Sequence, residues 1–371
     1  MGNNDQSRGR TILMTADTTG ELWTWALDLA RALEPYRIDF VIAAMGAPMN
    51  ADQRAEAAAC PNVRVVESSF RLEWMPDPWE DVQCAGAWLL DLEAKFRPDL
   101  IHLNGYVHAS LTWKAPVAIM AHSCVLSWWE AVKGQSAPAE YDRYAHEVRA
   151  GLHAADFVAA PSQGMLALLE QHYGRLPNRS VIPDGRDPAL YRQRAKEPVI
   201  FSAGRLWDEA KNIIALQKVA SELSWPVLVA GDDLLPDGSR RPMDNVCSLG
   251  RLTPKDLERW LSRAPIFALP ARYEPFGLSV LEAALSGCAL VLGNIPTLRE
   301  NWDRAAVFVN PDDPDELRAA LNVLIRSEEL RQTLGERARE RAVLFTAGRM
   351  AQGWLNAYGE LTGRRRLMPC A

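Results

Sequence analysis

The sequence predicts an α/β protein of two facing Rossmann-like domains, and three observations support this prediction. Short apolar runs that fit β-strands alternate with longer helical patterns along the whole chain, which is typical of parallel sheets covered by helices. The 371 residues exceed one ordinary core and suffice for two. Around residues 182–198 the pattern breaks into prolines, a glycine and charges, as expected of an interdomain connection. We therefore predict one domain over residues 1–185 and a second over residues 186–345.

The first half of the chain predicts one doubly wound domain. A helix with an apolar face follows the first strand, after a turn that contains a glycine, and further helices are predicted at residues 85–96 and 139–154. The apolar face of the first helix carries Leu22, Trp25, Ala26, Leu29 and Leu33. The predicted strands occupy residues 10–14, 39–44, 63–66, 100–103, 117–121 and 157–160.

The second half repeats the alternation. Strands are predicted at residues 199–203, 227–230, 266–269, 289–292 and 306–309. Helices are predicted near residues 212–223, 254–262, 278–286, 297–302 and 313–344. In open parallel sheets, ligands bind outside the carboxyl ends of the strands, so the cleft between the two domains is the expected active site.

Composition and charge exclude several classes of protein. With 48% hydrophobic and 24% charged residues the chain is neither disordered nor fibrous, and its net charge of -6 argues against non-specific nucleic-acid binding. The basic run Arg364, Arg365, Arg366 is either a solvated tail or a lipid-binding patch. The first ten residues lack the apolar core of a signal peptide, and no apolar run approaches the ~20 residues that span a bilayer. We expect a cytoplasmic protein without a transmembrane segment, and peripheral contact with a membrane surface stays open.

Neither a metal nor a bound cofactor is predicted. The six cysteines, at positions 60, 84, 124, 247, 288 and 370, form no C-x-x-C pair and no metal-like spacing, so we expect reduced, packed thiols. Asp313, Pro314 and Asp315 spell a D-x-D pattern, but they precede an amphipathic run and therefore predict a helix cap. The first turn lacks G-x-G-x-x-G, which removes the main support for a dehydrogenase.

The strongest local signal is the stretch 272–283, which places Glu274 in a loop and Glu282 inside the following helix. Between them, backbone N–H groups near Gly277 and Leu278 lie at a helix N-terminus, where a diphosphate is favourably bound. Carboxylates accept hydrogen bonds from sugar and ribose hydroxyls. In the alternative interpretation, Glu274 is a surface loop residue, Glu282 is a solvated helix residue and Gly277 only shapes a turn.

This stretch resembles the E-x7-E signature of the GT-B glycosyltransferases of family four. A second stretch, 202–212, is similar to the Gly-Arg-Leu motif of that family, with Ala210 as an extra residue before Lys211. The resemblance implies that Arg205 and Lys211 neutralise the diphosphate as the sugar departs, which is the role of a divalent metal in other transferases.

The resemblance also implies roles for further residues. It assigns Glu274 to the hydroxyls of the donor sugar, Glu282 to those of the ribose, and His122, which follows an apolar strand, to the donor sugar. Without the resemblance, a lone histidine after a strand is more often a structural residue. The remaining residues that the resemblance assigns to substrate binding are Gly20 near the phosphates, Arg251 near the nucleobase, and Phe276, Gly277 and Leu278 at the helix start.

Other motifs leave two interpretations open. His102 and His108 either line the acceptor side or are structural, and the segment 69–88 either shapes the acceptor cleft or packs in the core. Its aromatic residues are Phe70, Trp74, Trp79 and Trp88. The turn 183–185 is similar to the interdomain turn of the family and is interpreted as structural.

Together these features predict a metal-independent, retaining glycosyltransferase, in which a hexosyl group is the expected cargo. It would move a sugar from a nucleotide diphosphate sugar, held by the second domain, to an unidentified acceptor held by the first. The family implies that the C-terminal segment, residues 346–371 with a helix over 346–361, packs back on the first domain. Alternatives are a sugar-nucleotide epimerase or a phosphorylase of the same fold, or a non-catalytic sugar-nucleotide-binding subunit.

Overall fold

The computed structural model describes residues 9–20, 22–233 and 242–363. The last eight residues of the predicted C-terminal segment lie outside the described residues. They include the basic run Arg364, Arg365, Arg366 and also Cys370. None of the helices in the described ranges has the length and the apolar run that crossing a bilayer requires. Of the five cysteines in these ranges, Cys60, Cys124 and Cys288 are buried, and none forms a disulfide.

The first seven strands form one parallel sheet in the order β3-β2-β1-β4-β5-β6-β7. This is the order of a doubly wound fold, in which the chain reverses direction across the sheet between β1 and β4. The strands are β1 (Arg10–Asp17), β2 (Ile38–Met45), β3 (Val63–Glu67), β4 (Leu100–Leu103), β5 (Val117–Met120), β6 (Phe157–Ala160) and β7 (Arg179–Val181). The helices are α1 (Leu22–Leu33), α2 (Ala51–Ala58), α3 (Trp79–Phe96), α4 (Val125–Lys133), α5 (Asp142–Ala154) and α6 (Gln163–Tyr173).

The remaining six strands form a second parallel sheet in the order β10-β9-β8-β11-β12-β13. The strands are β8 (Ile200–Ala203), β9 (Val227–Ala230), β10 (Cys247–Ser248), β11 (Ile266–Leu269), β12 (Ala289–Gly293) and β13 (Ala306–Val309). The helices are α7 (Ile213–Ala220), α8 (Pro254–Arg263), α9 (Leu278–Leu285), α10 (Pro296–Trp302), α11 (Pro314–Arg326), α12 (Glu328–Ala342) and α13 (Ala347–Leu361). Two parallel sheets with alternating helices confirm the predicted fold class.

Burial explains why these runs form strands. Every residue of β4, β5, β6, β8, β9, β11 and β12 is buried, as expected for parallel strands covered by helices on both faces. Such strands form near-continuous apolar runs, and helices beside them need one apolar stripe each. The sequence pattern of short apolar runs therefore indicates the sheet directly.

Several elements differ from the prediction. The helix predicted over residues 313–344 is two helices, because Ser327 leaves the helical conformation and its hydroxyl accepts the N–H of Leu330 to cap α12. Helix α3 begins at Trp79 instead of residue 85, and the segment from residue 139 begins as a short 3₁₀ turn. The helices α2, α4 and α6 and the strands β7 and β10 were not predicted. The predicted cap at the D-x-D pattern is confirmed: Asp313 Oδ1 accepts the N–H groups of Asp315 and Glu316, at 3.0 and 3.1 Å.

The chain passes between the two sheets twice, and the two passages lie side by side. A parallel bridge joins Arg186 to Thr346, where the N–H of Arg186 donates to Phe345 O at 3.2 Å and the N–H of Ala347 donates to Arg186 O at 3.0 Å. After the second passage, α13 packs on α1 of the first sheet, with the fully buried Trp354 near Trp25. The two passages thus form one hydrogen-bonded, two-segment connection between the domains.

Gly185 is required at this connection, because a Cβ there would lie 2.3 Å from the backbone oxygen of Thr346. We expect Gly185→Ala to force the two passages apart and to lower the free energy of unfolding by about 1–3 kcal/mol, the usual cost of overpacking. Gly348→Ala is the matched control, since its Cβ would meet no atom closer than 3.9 Å and alanine favours helices. Urea unfolding of both variants tests this; equal stability of Gly185→Ala and the native protein would contradict it.

Candidate active site

The candidate site lies where loops at the carboxyl ends of the two sheets contact each other. The Ser162 hydroxyl, after β6, donates to Pro275 O at 2.7 Å, and Trp128 Nε1, in α4, donates to Asp208 Oδ1 at 3.0 Å. The N–H of Cys124, after β5, donates to the Tyr273 hydroxyl at 3.0 Å. Each bond joins the first domain to the second, so the loops after β8 and β11 face those after β5 and β6.

Glu274 lies in the loop between β11 and α9. Its carboxylate is 7% exposed, and Lys211 Nζ donates to Glu274 Oε2 at 2.5 Å. The Thr297 hydroxyl fixes the backbone by donating to Glu274 O at 2.6 Å. A surface loop carboxylate would need none of these contacts, so the interpretation of Glu274 as an ordinary surface residue is wrong.

Gly277 connects this loop to α9 with a left-handed backbone, φ +91°. At this φ a side chain is strained, and a Cβ would lie 3.0 Å from Val280 Cγ2. The N–H groups in the first turn of a helix have no carbonyl partner within that helix and are available to an anion. Gly277 therefore turns the chain so that α9 begins directly after the glutamate loop.

Phe276 and Leu278, which flank Gly277, are both buried. The Phe276 ring packs edge-on against Phe345, with ring centroids 5.4 Å apart. The sequence predicts both residues as substrate-binding, but the contact of Phe276 belongs to the core beneath the second passage.

Glu282 is also 7% exposed, and it lies in a buried charge cluster. Arg186 Nε donates to Glu282 Oε1 at 2.8 Å, and Arg186 Nη1 donates to Asp28 Oδ2 of α1 at 2.8 Å. Burial alone would lower the pKa of Arg186, but the carboxylates of Glu282 and Asp28 outweigh burial and raise it. The interpretation of Glu282 as a solvated helix residue is therefore wrong as well.

The loop after β8 carries the two predicted cations. Lys211 is buried against Glu274, whereas Arg205 is exposed and pairs with Asp208 at 3.0 Å. The extra residue, Ala210, fits inside a turn: its N–H donates to Asp208 Oδ1 at 3.0 Å, and Asn212 then adopts a left-handed conformation with φ +55°. The loop absorbs the insertion and still directs Lys211 into the site.

The turn after β1 has open space. At Gly20 in this turn, a Cβ would meet no atom within 4 Å. Burial raises the pKa of Asp17, the last residue of β1, while hydrogen bonds with Thr19 and, to a smaller extent, the positive charge of Arg205 lower it.

His122 follows β5 and is held as a neutral imidazole. Its Nε2 lies 2.9 Å from Asn104 Oδ1, and the Trp25 ring packs edge-on against it at 4.6 Å. Asn104 Nδ2 donates to Thr15 O at 2.6 Å, so its Oδ1 is the atom that accepts from Nε2–H. Burial lowers the pKa of His122 to about 3. The imidazole therefore keeps Nδ1 as a hydrogen-bond acceptor.

The other two histidines that the sequence offered as candidates, His102 and His108, are both buried. His102 is fully buried beneath α13, where its Nδ1 lies 2.5 Å from the Tyr358 hydroxyl. His108 Nε2 lies 3.0 Å from Val82 O of α3. Both rings are buried and have contacts inside the protein, which favours the structural alternative for both.

The aromatic segment 69–88 divides between core and surface. Phe70 packs against Trp88 at 5.7 Å, and the Arg143 guanidinium covers Trp79 at 4.5 Å. Trp74 is 38% exposed.

Arg251, which the sequence predicts near the nucleobase, lies in the loop after β10, and its side chain is exposed.

Several residues near the site gave no sequence signal. Glu73 is buried and accepts the N–H groups of Tyr106 and Val107, and burial raises its pKa to about 7. The segment after His122 is held by tyrosine hydroxyls: besides Tyr273, Tyr106 donates to Ser123 O and Tyr173 lies 3.2 Å from Cys124 Sγ. Arg186 also gave no signal of its own, although it directly follows the Asp-Gly turn that the sequence analysis identified. Within the described ranges, no three His, Cys, Asp or Glu side chains are grouped as a metal site.

The low pKa of His122 makes a prediction about stability in acid. Between pH 3 and its ordinary pKa of 6.5, the unfolded chain binds a proton on His122 that the folded chain does not, so stability falls as pH falls. From pH 7 to pH 5 this costs about 2 kcal/mol. His122→Gln keeps a donor for Asn104 without titrating, so we expect the native protein to lose about 2 kcal/mol more than this variant.

Urea unfolding at both pH values measures the difference, with the exposed His146→Gln as the control variant. Equal acid losses for the native protein and His122→Gln would contradict the prediction.

Two family descriptions match the chain. Residues 22–190 match the family described as Glycosyltransferase Family 4, and residues 187–341 match the family described as Glycosyl transferases group 1. The two ranges meet in the segment that joins β7 to β8.

Relatives and solved structures agree with these matches. The sulfoquinovosyl transferase of Arabidopsis thaliana is 22% identical over 290 residues, which cover 67% of this chain and 54%, about half, of the plant protein. The structure of sucrose-phosphate synthase from Thermosynechococcus elongatus has a TM-score of 0.78 at 18% identity and covers 95% of this chain and 99% of its own. HepE of Anabaena, in complex with UDP-glucose, has a TM-score of 0.74 at 17% identity and covers 95% and 100%. At such identities the structures establish the fold alone, which is the GT-B fold. The two family matches, which together span residues 22–341, show that the chain belongs to the family-four glycosyltransferases.

Proposed function

We propose that the protein transfers a sugar from a nucleoside diphosphate to an acceptor, without a metal ion and with retention of the anomeric configuration. The observation that best supports this is the contact between Lys211 and Glu274 beside the first turn of α9. A cation, a buried carboxylate and helix N–H groups lie together, and these groups match the diphosphate and the hydroxyls of a nucleotide sugar.

In this proposal the second domain holds the donor. The N–H groups at the start of α9 donate hydrogen bonds to the diphosphate oxygens, and Arg205 and Lys211 neutralise the charge that develops as the bond to the sugar breaks. The positive charge then comes from side chains, so no divalent cation is required. Gly20 leaves room for the phosphates from the first domain, and Arg251 borders the nucleobase.

The two glutamates bind different parts of the donor. Glu274 accepts hydrogen bonds from hydroxyls of the transferred sugar, where its charge also stabilises the positive character of the ring in the transition state. Glu282 accepts hydrogen bonds from the ribose hydroxyls. Lys211 and Arg186 pair with these two carboxylates inside the site.

The first domain presents the acceptor. The neutral His122 contacts the donor sugar across the cleft, with its ring oriented by Asn104 and Trp25. The acceptor hydroxyl attacks from the face that the phosphate leaves, and the departing phosphate takes the acceptor proton. Attack on that face preserves the configuration, and the role of the chain is to position both substrates and exclude water.

Nucleoside diphosphates test the donor site directly. HepE of Anabaena was solved with UDP-glucose, so uridine diphosphate is the first probe, followed by the guanosine and adenosine forms. We expect one of them, at ~100 times its Kd, to stabilise the protein by about 2.7 kcal/mol. We also expect this nucleoside diphosphate to bind, and the matching nucleotide sugar to release its sugar, in the presence of excess chelator. Absence of binding by all three would contradict the proposed function. Loss in chelator, restored by magnesium or manganese, would contradict metal independence.

Substitution of each glutamate separates their roles. A hydrogen bond to a charged group contributes about 1.5–3 kcal/mol, or roughly tenfold to a hundredfold. We expect Glu282→Gln to weaken nucleoside diphosphate binding by this factor, and Glu274→Gln to leave binding unchanged while lowering kcat, because its partner is the transferred sugar.

Each variant also removes one carboxylate from a buried cation, Arg186 or Lys211, so the two serve as controls for each other's destabilisation. Calorimetry below the melting temperature and steady-state kinetics measure both effects. Equal weakening of nucleotide binding by the two variants would contradict the division of roles.

A further inference from the structure

Helix α4 of the first domain contacts the loop after β8 in the second domain through two side chains, Trp128 and Lys133. Trp128 Nε1 donates to Asp208 Oδ1 at 3.0 Å. Lys133 Nζ donates to both carboxylate oxygens of Glu209, at 2.9 and 2.8 Å. The Lys133 ammonium also lies 5.8 Å from the centre of the Trp128 ring, so the two side chains support each other. The indole N–H is therefore held at a defined point against the β8 loop.

Asp208 accepts hydrogen bonds from both domains. It is 4% exposed, and its Oδ1 accepts the indole N–H of Trp128 and the backbone N–H of Ala210, each at 3.0 Å. An ionised carboxylate has about two lone pairs on each oxygen, so these two donors fill Oδ1. Arg205 approaches the other oxygen, with its Nη2 3.0 Å from Oδ2. The contact between the domains thus helps to leave only one carboxylate oxygen for Arg205.

The number of oxygens open to Arg205 matters because an arginine fork binds a carboxylate most strongly through two parallel N–H···O bonds. With a free lone pair on Oδ1, Asp208 would be able to hold the guanidinium in this bidentate form. Each N–H donor that Asp208 takes is one fewer of the five that a guanidinium can offer to an anionic ligand. The Arg205 side chain is 46% exposed, so a ligand from the cleft can reach the donors that remain.

From this geometry we propose that Trp128 is a positioning residue that keeps Arg205 available to the diphosphate of the donor. By occupying Oδ1 of Asp208, the indole N–H prevents a bidentate ion pair between Asp208 and Arg205. This inference rests on the proposed role of Arg205 at the diphosphate. It adds that the affinity of the second domain for a diphosphate depends on a tryptophan of the first domain.

Binding of a nucleoside diphosphate tests this inference without the acceptor. The probe is the uridine, guanosine or adenosine diphosphate that binds the native protein, and calorimetry gives its Kd. Trp128→Phe keeps an aromatic ring but lacks the N–H, so we expect it to weaken binding by about three- to tenfold. In an Arg205→Met background the same substitution should weaken binding by less than about twofold, because no guanidinium remains for Asp208 to hold.

Replacement of Asp208 should remove the effect in the same way. Asparagine forms no ion pair with Arg205, and its side-chain oxygen still accepts the N–H of Ala210. The double variant Trp128→Phe/Asp208→Asn should therefore bind the probe more tightly than Trp128→Phe alone, and within about twofold of Asp208→Asn. A purely structural role of Trp128 predicts the opposite, since two losses at one contact would then weaken binding further.

Two further variants complete the experiment. Trp129→Phe is the matched control, because this neighbouring ring packs on Tyr141 with ring centroids 6.0 Å apart, and it should leave the Kd unchanged. Trp128→Met fills the same space with a flexible apolar chain that has no N–H donor, and it replaces Trp128→Phe if that variant does not fold.

The outcomes are distinct. If the Trp128 variants bind the probe like the native protein, or if they weaken binding equally with and without Arg205, the inference is overturned. If Arg205→Met binds the probe as tightly as the native protein, the proposed role of Arg205 fails and the inference fails with it. If no nucleoside diphosphate binds, the proposed function itself is contradicted.

Discussion

The site depends on one constraint: a carboxylate can stay ionised inside a protein only if a cation or several N–H donors accompany it. Glu274 and Glu282 are both buried, and each is paired with a cation that comes from a different part of the chain. Lys211 is brought by the loop after β8, and Arg186 by the passage between the domains. Meeting this requirement therefore draws the β8 loop, the β11 loop and the passage to one place.

The two pairs differ in a way that suits their surroundings. Lysine is a compact point charge on a flexible stem, and in the proposed function Lys211 neutralises a diphosphate beside Glu274. Arginine presents a rigid fork, and Arg186 uses it to hold two carboxylates from two domains. Arg205 is different again: its side chain is 46% exposed and pairs with the buried Asp208 at 3.0 Å, so of these three cations it is the one most accessible to solvent.

The sequence predicted the sheets well, because buried parallel strands are short apolar runs with clear ends. The bounds of β4, β6, β9, β11 and β13 agree with the predicted ones to the residue. Helix α2 was missed because its residues are mostly polar or alanine, with little apolar periodicity to detect. The break at Ser327 was missed because one serine inside a long amphipathic pattern does not distinguish a cap from a solvated position.

Within the site, the sequence located the residues that lie in motifs, but not those defined by long-range contacts. Arg186 and Glu282 are 96 positions apart, and no local pattern links them. His102 lies inside β4 and His122 follows β5, and only the folded structure shows their surroundings: α13 covers His102, whereas His122 is only partly buried beside Asn104. Phe276 lies inside the motif, yet its ring is buried because Phe345 from the second passage packs on it.

The contacts between the domains also determine when the site is complete. Tyr273 directly precedes Glu274, and its hydroxyl accepts the N–H of Cys124, two residues after His122. One hydrogen bond between the domains therefore joins the loop that carries Glu274 to the segment that carries His122. Tyr106 and Tyr173 hold the His122 segment from within the first domain, and Thr297 holds the Glu274 backbone from within the second. Tyr273 therefore joins two segments that are each ordered by their own domain. Such fixed positioning of groups from two domains is what a reaction between two bound substrates requires.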